Sequence, residues 1–196
     1  ETFVFLRKLL HDLRGYCLHL ELGVDIAASQ FYKKGNYFYT NYSSLVKNKV
    51  FSRRQQILLV QDWIQKYDLA YVEDPLYEED FQGFSKISGK KTFVCGDDLI
   101  TTDIGRLQKA LKFSSVNSII VKPNQIGSLV KMKEIVDFCR KRKITTVLSH
   151  RSGETMDTLI AHLAAAWHIP YIKTGIFGKE REVKLAELMR LEEEYS

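Results

Sequence analysis

Short apolar runs alternate along the chain with longer segments of helical period. Six runs rich in β-branched residues are predicted strands: Tyr16–Asp25, Leu69–Asp74, Thr92–Asp98, Ser118–Pro123, Thr145–His150 and Tyr171–Thr174. Four of them are apolar almost to their last residues, which is typical of parallel strands that helices cover on both faces. The pattern therefore predicts an α/β fold.

Amphipathic segments between these runs predict the helices. Ser52, Thr102 and Ser128 each precede such a segment and are predicted N-caps. Three further helices are predicted over Phe3–Leu13, Glu154–Trp167 and Glu180–Tyr195.

A polar residue stands at the end of each predicted strand. These residues are Asp25, Glu73, Asp97, Lys122, Ser149 with His150, and Lys173. From Glu73 onward they recur at intervals of 24 to 27 residues, the length of one strand, one helix and two short loops. Repeated β/α units with functional groups at the carboxyl ends of the strands predict a TIM-like (β/α) barrel. The first interval is longer, and its extra segment Gln30–Phe51 is predicted to be a surface hairpin turning at Gly35-Asn36.

Six strand units are fewer than the eight of a closed barrel. A six-stranded remnant would leave two open sheet edges. We therefore expect residues 1–196 to form one barrel domain that is incomplete on its N-terminal side, with the complete molecule beginning upstream.

Composition narrows the class of protein. The chain is 45% hydrophobic and 27% charged, as in ordinary globular proteins. Its net charge of +5 is spread among 24 acids without a basic stripe, so we do not expect nucleic-acid binding. Cys17, Cys95 and Cys139 are far apart and form no Cys-x-x-Cys pair, which favours reduced thiols in the cytoplasm. No apolar stretch reaches the length of about 18 residues that a membrane span needs.

Three of the strand-end residues are carboxylates: Asp25, Glu73 and Asp97. Carboxylate oxygens suit Mg²⁺, which also keeps water or substrate oxygens. Each acid alone is better explained by a helix cap or an ion pair with a lysine. Three at consecutive barrel positions predict a metal site.

Two lysines also follow strands. Lys122 comes after an apolar run, and a lysine near a metal can act as a base when its pKa falls; the alternative is a structural ion pair. Lys173 is open to the same two interpretations.

The segment Ser149–Thr155 leads from a strand towards a helix. Arg151 offers a planar guanidinium, Ser152 a hydroxyl and the following helix its free N–H groups, a combination that suits a phosphate. A helix cap with an incidental arginine is the alternative. His150 is either a ligand-site residue or a packing histidine.

Seven segments, taken in order and spacing, resemble the enolase family and its archaeal-type branch. They are Gly23–Ser29, Val72–Pro75, Gly96–Leu99, Lys122–Gly127, Ser149–Thr155, Ile172–Gly175 and Met189–Glu194. The resemblance extends over nearly the whole chain from about Tyr16, and it implies a Mg²⁺-dependent lyase of glycolysis that interconverts 2-phosphoglycerate and phosphoenolpyruvate in the cytoplasm.

The resemblance also implies a role for each residue. Asp25, Glu73 and Asp97 would hold Mg²⁺, and Lys122 would remove the proton at C2. Arg151 and Ser152 would bind the phosphate, Lys173 would contact the substrate carboxylate, and His150 would lie beside the substrate. Enolase-superfamily sites use a Lys or His base with Mg²⁺, because the enediolate must be stabilised as it forms.

The family also has an N-terminal domain, two earlier barrel strands, and glutamates that act as the acid when the hydroxyl group is expelled. The chain has no segment that corresponds to any of these. We therefore expect the chain alone to be weakly active or inactive, and to work as a homo-oligomer or with the missing N-terminal portion. A non-catalytic enolase-like chain that binds a partner is one alternative. A different superfamily enzyme, such as an acid-sugar dehydratase, is another, although the predicted phosphate segment argues against it.

Overall fold

The computed structural model describes residues 1–16, 19–89 and 91–195. The chain divides into two compact units. Unit 1 comprises Glu1–Leu99 and Gln108–Asn117, and unit 2 comprises Ile100–Leu107 and Ser118–Ser196.

Unit 1 contains three parallel strands, a small antiparallel sheet and three helices. The parallel strands are β1 (Leu22–Asp25), β5 (Leu69–Glu73) and β6 (Phe93–Gly96), in that order. The antiparallel strands are β2 (Tyr32–Lys33), β3 (Asn36–Tyr39) and β4 (Lys49–Ser52), and the helices are α1 (Thr2–Leu13), α2 (Arg53–Tyr67) and α3 (Phe81–Phe84). Short 3₁₀ helices cover Arg14–Tyr16 and Ala28–Phe31.

The antiparallel sheet confirms the predicted hairpin but corrects its turn. The turn lies at Lys34 and Gly35, which have positive φ of 48° and 84°, as a tight two-residue turn requires. The segment is also more than a surface excursion. Tyr37 is fully buried, and its hydroxyl accepts the Tyr77 N–H at 3.0 Å.

Unit 2 contains the other three parallel strands. In order they are β7 (Ser118–Val121), β8 (Thr145–Ser149) and β9 (Tyr171–Lys173). Its helices are α5 (Pro123–Ile126), α6 (Leu129–Lys141), α7 (Leu159–Ala166) and α8 (Lys179–Tyr195). Helix α4 (Ile104–Lys112) begins in this unit.

Each predicted strand contains an observed one, which confirms the α/β class. The observed strands end one or two residues earlier than most predictions. The first is also shorter at its start, since β1 begins at Leu22; the predicted positions Cys17 and Leu18 lie outside the described residues. The apolar runs account for this agreement, because Val121, Ile119 and Ile120 of β7 are almost completely buried.

Two of the three predicted helix caps are confirmed. Ser52 and Gln55 form a capping box, and Ser128 accepts the Lys131 N–H. Thr102 is not the cap of its helix, because α4 begins at Ile104 and the preceding residue is Asp103. Asp103 is the cap instead, since its Oδ1 accepts the Arg106 N–H at 2.8 Å.

The helix predicted over Glu154–Trp167 was also placed wrongly. Helix α7 starts at Leu159, whose N–H donates to Asp157 Oδ1 at 2.8 Å. The residues before it belong to no helix or strand and contain a turn at Ser152-Gly153. Ile160 and Leu163 of this helix are buried, whereas Leu159 at its start is exposed.

Two further findings concern the cysteines and the membrane. Cys95 and Cys139 are buried and are not joined in a disulfide, and Cys17 is outside the described residues. Within the described part of the chain, no helix has the length and apolar character needed to cross a membrane.

Candidate functional site

Three carboxylates gather at the carboxyl ends of the parallel strands in unit 1. Glu73 ends β5, Asp74 follows it, and Asp97 follows β6. One oxygen from each lies within 4.8 Å of the others. Glu73 is fully buried and Asp74 nearly so, whereas Asp97 is half-buried. Such a group of oxygen donors fits a hard divalent cation such as Mg²⁺.

Tyr71 contributes a hydrogen bond to this carboxylate cluster. Its hydroxyl donates to Glu73 Oε2 at 2.5 Å. Burial above all, and then the neighbouring Cys95 and Glu73 side chains, raise the pKa of Tyr71. The hydroxyl therefore stays protonated and continues to donate to the buried carboxylate.

Asp74 was not among the predicted site residues. Its Oδ1 accepts the Asp97 N–H at 3.0 Å and its Oδ2 accepts the Asp98 N–H at 2.7 Å, so it fixes the backbone that carries Asp97. Burial raises the pKa of Asp74 to about 7, although the two N–H groups oppose this effect. Asp74 has a positive φ of 40°, a conformation that Asp tolerates better than most residues. Its place between Glu73 and Pro75, inside a family-like motif, was the signal available in the sequence.

Asp25 takes a different place. It ends β1 directly opposite Glu73 in the strand register, and it is exposed. The close group of carboxylate oxygens does not include Asp25 among the described residues. Its assignment as a metal ligand stays a prediction, as do those of Glu73 and Asp97.

In unit 2, the backbone of Lys122 is held by Thr102. Lys122 follows β7 and is half-buried, and its N–H donates to Thr102 Oγ1 at 3.0 Å. The same hydroxyl donates to Gln125 Oε1 at 2.7 Å. Thr102 thus links the two ends of the turn that starts with Lys122.

His150 and Lys173 are brought together at the ends of β8 and β9. The His150 N–H donates to the Lys173 carbonyl at 3.0 Å. His150 Nδ1 is buried and has no hydrogen-bond partner within the described ranges. Burial lowers the pKa of His150, while nearby Glu154 raises it less, so the imidazole is neutral at neutral pH.

Arg151 and Ser152 are exposed in the irregular segment between β8 and α7. The Arg151 N–H donates to Glu154 Oε1 at 2.9 Å, and its guanidinium lies 3.5 Å from Asn124 Oδ1. The N-terminus of α7 lies several residues further along the chain, at Leu159. The expectation that a helix beginning right after Ser152 would offer its N–H groups was therefore wrong.

In each unit, polar or charged residues follow the carboxyl ends of parallel strands, the position at which enzymes of the α/β barrel class carry their functional groups. The family model for the C-terminal TIM barrel domain of enolase matches residues 7–196, so this chain belongs to the enolase family. The match confirms the predicted fold class, a partial TIM-like barrel.

Archaeal relatives named enolase are similar over most of the chain. The chain is 42% identical over 176 residues to the protein of Natronomonas pharaonis, covering 88% of this chain and 42% of that protein. It is 41% identical over 184 residues to the protein of Methanocorpusculum labreanum, covering 91% and 44%. It is 45% identical over 175 residues to the protein of Picrophilus torridus, covering 88% and 42%. The chain thus spans less than half the length of these relatives.

Proposed function

We propose that this chain carries metal, base and phosphate groups of a phosphopyruvate hydratase, which interconverts 2-phosphoglycerate and phosphoenolpyruvate. The observation that supports this most strongly is the carboxylate cluster of Glu73, Asp74 and Asp97 in a member of the enolase family. As a family member, the protein is proposed to act in glycolysis and gluconeogenesis in the cytoplasm, as a homo-oligomer or with the N-terminal portion of the family's architecture.

The proposed metal ligands are Asp25, Glu73 and Asp97. Asp74 serves them by holding the Asp97 backbone through its two hydrogen bonds. A bound Mg²⁺ would stabilise the negative charge that develops on the substrate carboxylate. Tyr71 keeps Glu73 in place through its hydroxyl.

The other groups act on the substrate directly. Lys122 removes the proton at C2, and the Thr102 hydroxyl fixes the backbone from which Lys122 projects. Lys173 contacts the substrate carboxylate, and Arg151 with Ser152 binds the phosphate. His150 lies beside the substrate as a neutral imidazole, because burial lowers its pKa.

Exchange of the C2 hydrogen of 2-phosphoglycerate in heavy water tests the base without requiring the complete reaction. The chain with Mg²⁺ should introduce deuterium at C2, and both Lys122→Ala and omission of Mg²⁺ should abolish this. Lys131→Ala, which changes an exposed lysine of α6, is the matched control and should exchange like the wild type. Phosphoenolpyruvate formation is measured in parallel, and we expect it to be weak or absent for the chain alone.

The alternative is a non-catalytic enolase-like chain that binds a partner. No exchange at C2 together with no Mg²⁺ binding by calorimetry would favour that alternative. Exchange that persists in Lys122→Ala would refute the role given to Lys122. Light scattering after gel filtration reports whether copies of the chain associate.

A further inference from the structure

Lys184 is a buried lysine outside the residues assigned above. It lies on α8 and is 1% exposed, which is rare for a lysine unless its charge is compensated. Its Nζ lies 2.8 Å from Glu154 Oε2. It also donates to the Thr155 carbonyl at 2.8 Å and to the Glu180 carbonyl at 2.7 Å. These contacts use all three N–H groups of the ammonium.

Two of the three partners belong to the segment between β8 and α7 that also contains Arg151 and Ser152. Glu180 is one turn earlier on the same helix, but Glu154 and Thr155 are in the segment before α7. Stabilising α8 alone would not require contacts with Glu154 and Thr155. Lys184 thus ties this segment to a long helix.

Glu154 passes this constraint on to Arg151. One carboxylate oxygen pairs with Lys184 while the other accepts the Arg151 N–H at 2.9 Å. Burial raises the pKa of Glu154, but hydrogen bonds from Lys184 and from the Arg151 N–H outweigh it, and the pKa is lowered. The carboxylate is therefore ionised at neutral pH and holds both partners.

We propose that Lys184 is a positioning residue for the anion-binding segment Arg151–Ser152 and acts through Glu154. The inference rests on the proposed function, in which this segment binds the substrate phosphate. Arg151 and Ser152 are exposed and belong to no helix or strand, so regular structure does not fix them. Removing one partner of a buried ion pair leaves the other uncompensated, and the segment would then move to rehydrate Glu154.

The test compares Lys184→Met with Lys179→Met. Methionine has a similar length without the charge, and Lys179 is an exposed lysine on the same helix. Amide hydrogen exchange of Arg151 by NMR is the first readout. Lys184→Met should speed exchange of this amide at least about tenfold, whereas Lys179→Met should leave it unchanged. Lys184→Arg, which keeps the charge and the donors, should restore part of the protection.

Affinity for inorganic phosphate and for 2-phosphoglycerate, measured by calorimetry, is the second readout. Lys184→Met should weaken both by about tenfold or more, because a small displacement of an anchoring group costs much of its binding energy. Arg151→Ala provides the reference for loss of the site. A purely structural lysine would lower the unfolding midpoint but leave the affinity of the folded protein unchanged.

The two proposals fail in different ways. If the wild type binds neither phosphate nor 2-phosphoglycerate, the proposed function fails. The rate of hydrogen exchange at the Arg151 amide then decides by itself whether Lys184 holds the segment. If the wild type binds and Lys184→Met binds equally well, the positioning role is overturned while the proposed function stands. If Lys184→Met does not fold, Glu154→Gln takes its place, because it removes the charge that links Lys184 to Arg151.

Discussion

Replacing Glu73 by Gln should stabilise the metal-free protein while weakening its stabilisation by Mg²⁺. Carboxylate oxygens of Glu73, Asp74 and Asp97 lie within 4.8 Å of one another. Two unit charges at that separation repel by about 3.5 kcal/mol at an effective dielectric constant of ~20. Gln is isosteric with Glu and its carbonyl still accepts the Tyr71 hydroxyl. Partial protonation of Asp74, whose pKa burial raises to about 7, already relieves some repulsion, so we expect a net gain of about 2 kcal/mol in unfolding free energy.

Urea denaturation with and without Mg²⁺ measures both effects. An ion at one hundred times its dissociation constant raises the unfolding free energy by about 2.7 kcal/mol. A variant with tenfold weaker binding gains only about 1.4 kcal/mol at the same concentration. Glu73→Gln should therefore start higher than the wild type without the ion and gain at most about half as much with it.

Asp62→Asn is the matched control, since Asp62 is an exposed acid on α2, outside the carboxylate cluster. It should change neither the stability of the metal-free protein by more than about 0.5 kcal/mol nor the gain from Mg²⁺. Equal Mg²⁺ gains for Glu73→Gln and the wild type would show that Glu73 is not a ligand. A less stable metal-free Glu73→Gln would show that repulsion does not dominate in the cluster.

Three further predictions concern the fold around the site. Burial raises the pKa of Tyr39 to about 12 from 10.0, so between these values the unfolded state loses its proton first and the unfolding free energy falls as pH rises. Tyr39→Phe should make this fall less steep in urea denaturation at a series of alkaline pH values, leaving the contributions of Tyr37 and Tyr71, whose pKa values burial also raises. An unchanged pH dependence would contradict this expectation. Ser52→Ala removes half of the capping box and should cost about 1 kcal/mol, whereas Ser88→Ala, at an exposed loop serine, should cost almost nothing in the same experiment. Burial raises the pKa of the Cys139 thiol to about 12, so alkylation followed by mass spectrometry should label Cys139 in urea but hardly in the folded protein, and equal labelling would disprove its burial.

The apolar runs predicted the strands because burial on both faces leaves a direct mark on the sequence. Ile119, Ile120 and Val121 of β7 are almost fully buried, and the predicted strand over them was right apart from its last residues. Caps depend on single hydrogen bonds and are less predictable. Thr102 and Asp103 are adjacent and both have oxygen acceptors, so only the backbone path decided that Asp103 caps α4 and that Thr102 serves Lys122.

The start of α7 was missed for a tertiary reason. Glu154 looked like the beginning of a helix, because an acid followed by apolar residues at helical spacing is typical of a first turn. In the fold, its carboxylate is occupied by Lys184 and the Arg151 N–H. Lys184 comes 30 residues later in the chain, and no local pattern connects it to Glu154.

The carboxylate cluster shows how far the position of a strand end can predict a site. The rule that functional groups follow the carboxyl ends of parallel strands located Glu73 and Asp97, which the structure brings together. The same rule selected Asp25, which also ends a strand, and it passed over Asp74, which comes directly after Glu73. The carboxylate of Asp74 is held beside Asp97 because it accepts the N–H groups of Asp97 and Asp98. This arrangement goes with the positive φ of Asp74, which a position at a strand end does not predict. Asp25 lies opposite Glu73 in the strand register, so a cation bound by both residues would be held by side chains of β1 and β5 together.

Mg²⁺ calorimetry of Asp25→Asn and Asp74→Asn tests whether Asp25 or Asp74 is a direct ligand. If Asp25 is a direct ligand, Asp25→Asn should lose most of the affinity of the protein for Mg²⁺. If Asp74 acts through the Asp97 backbone, Asp74→Asn should lose less of this affinity but more of the unfolding free energy.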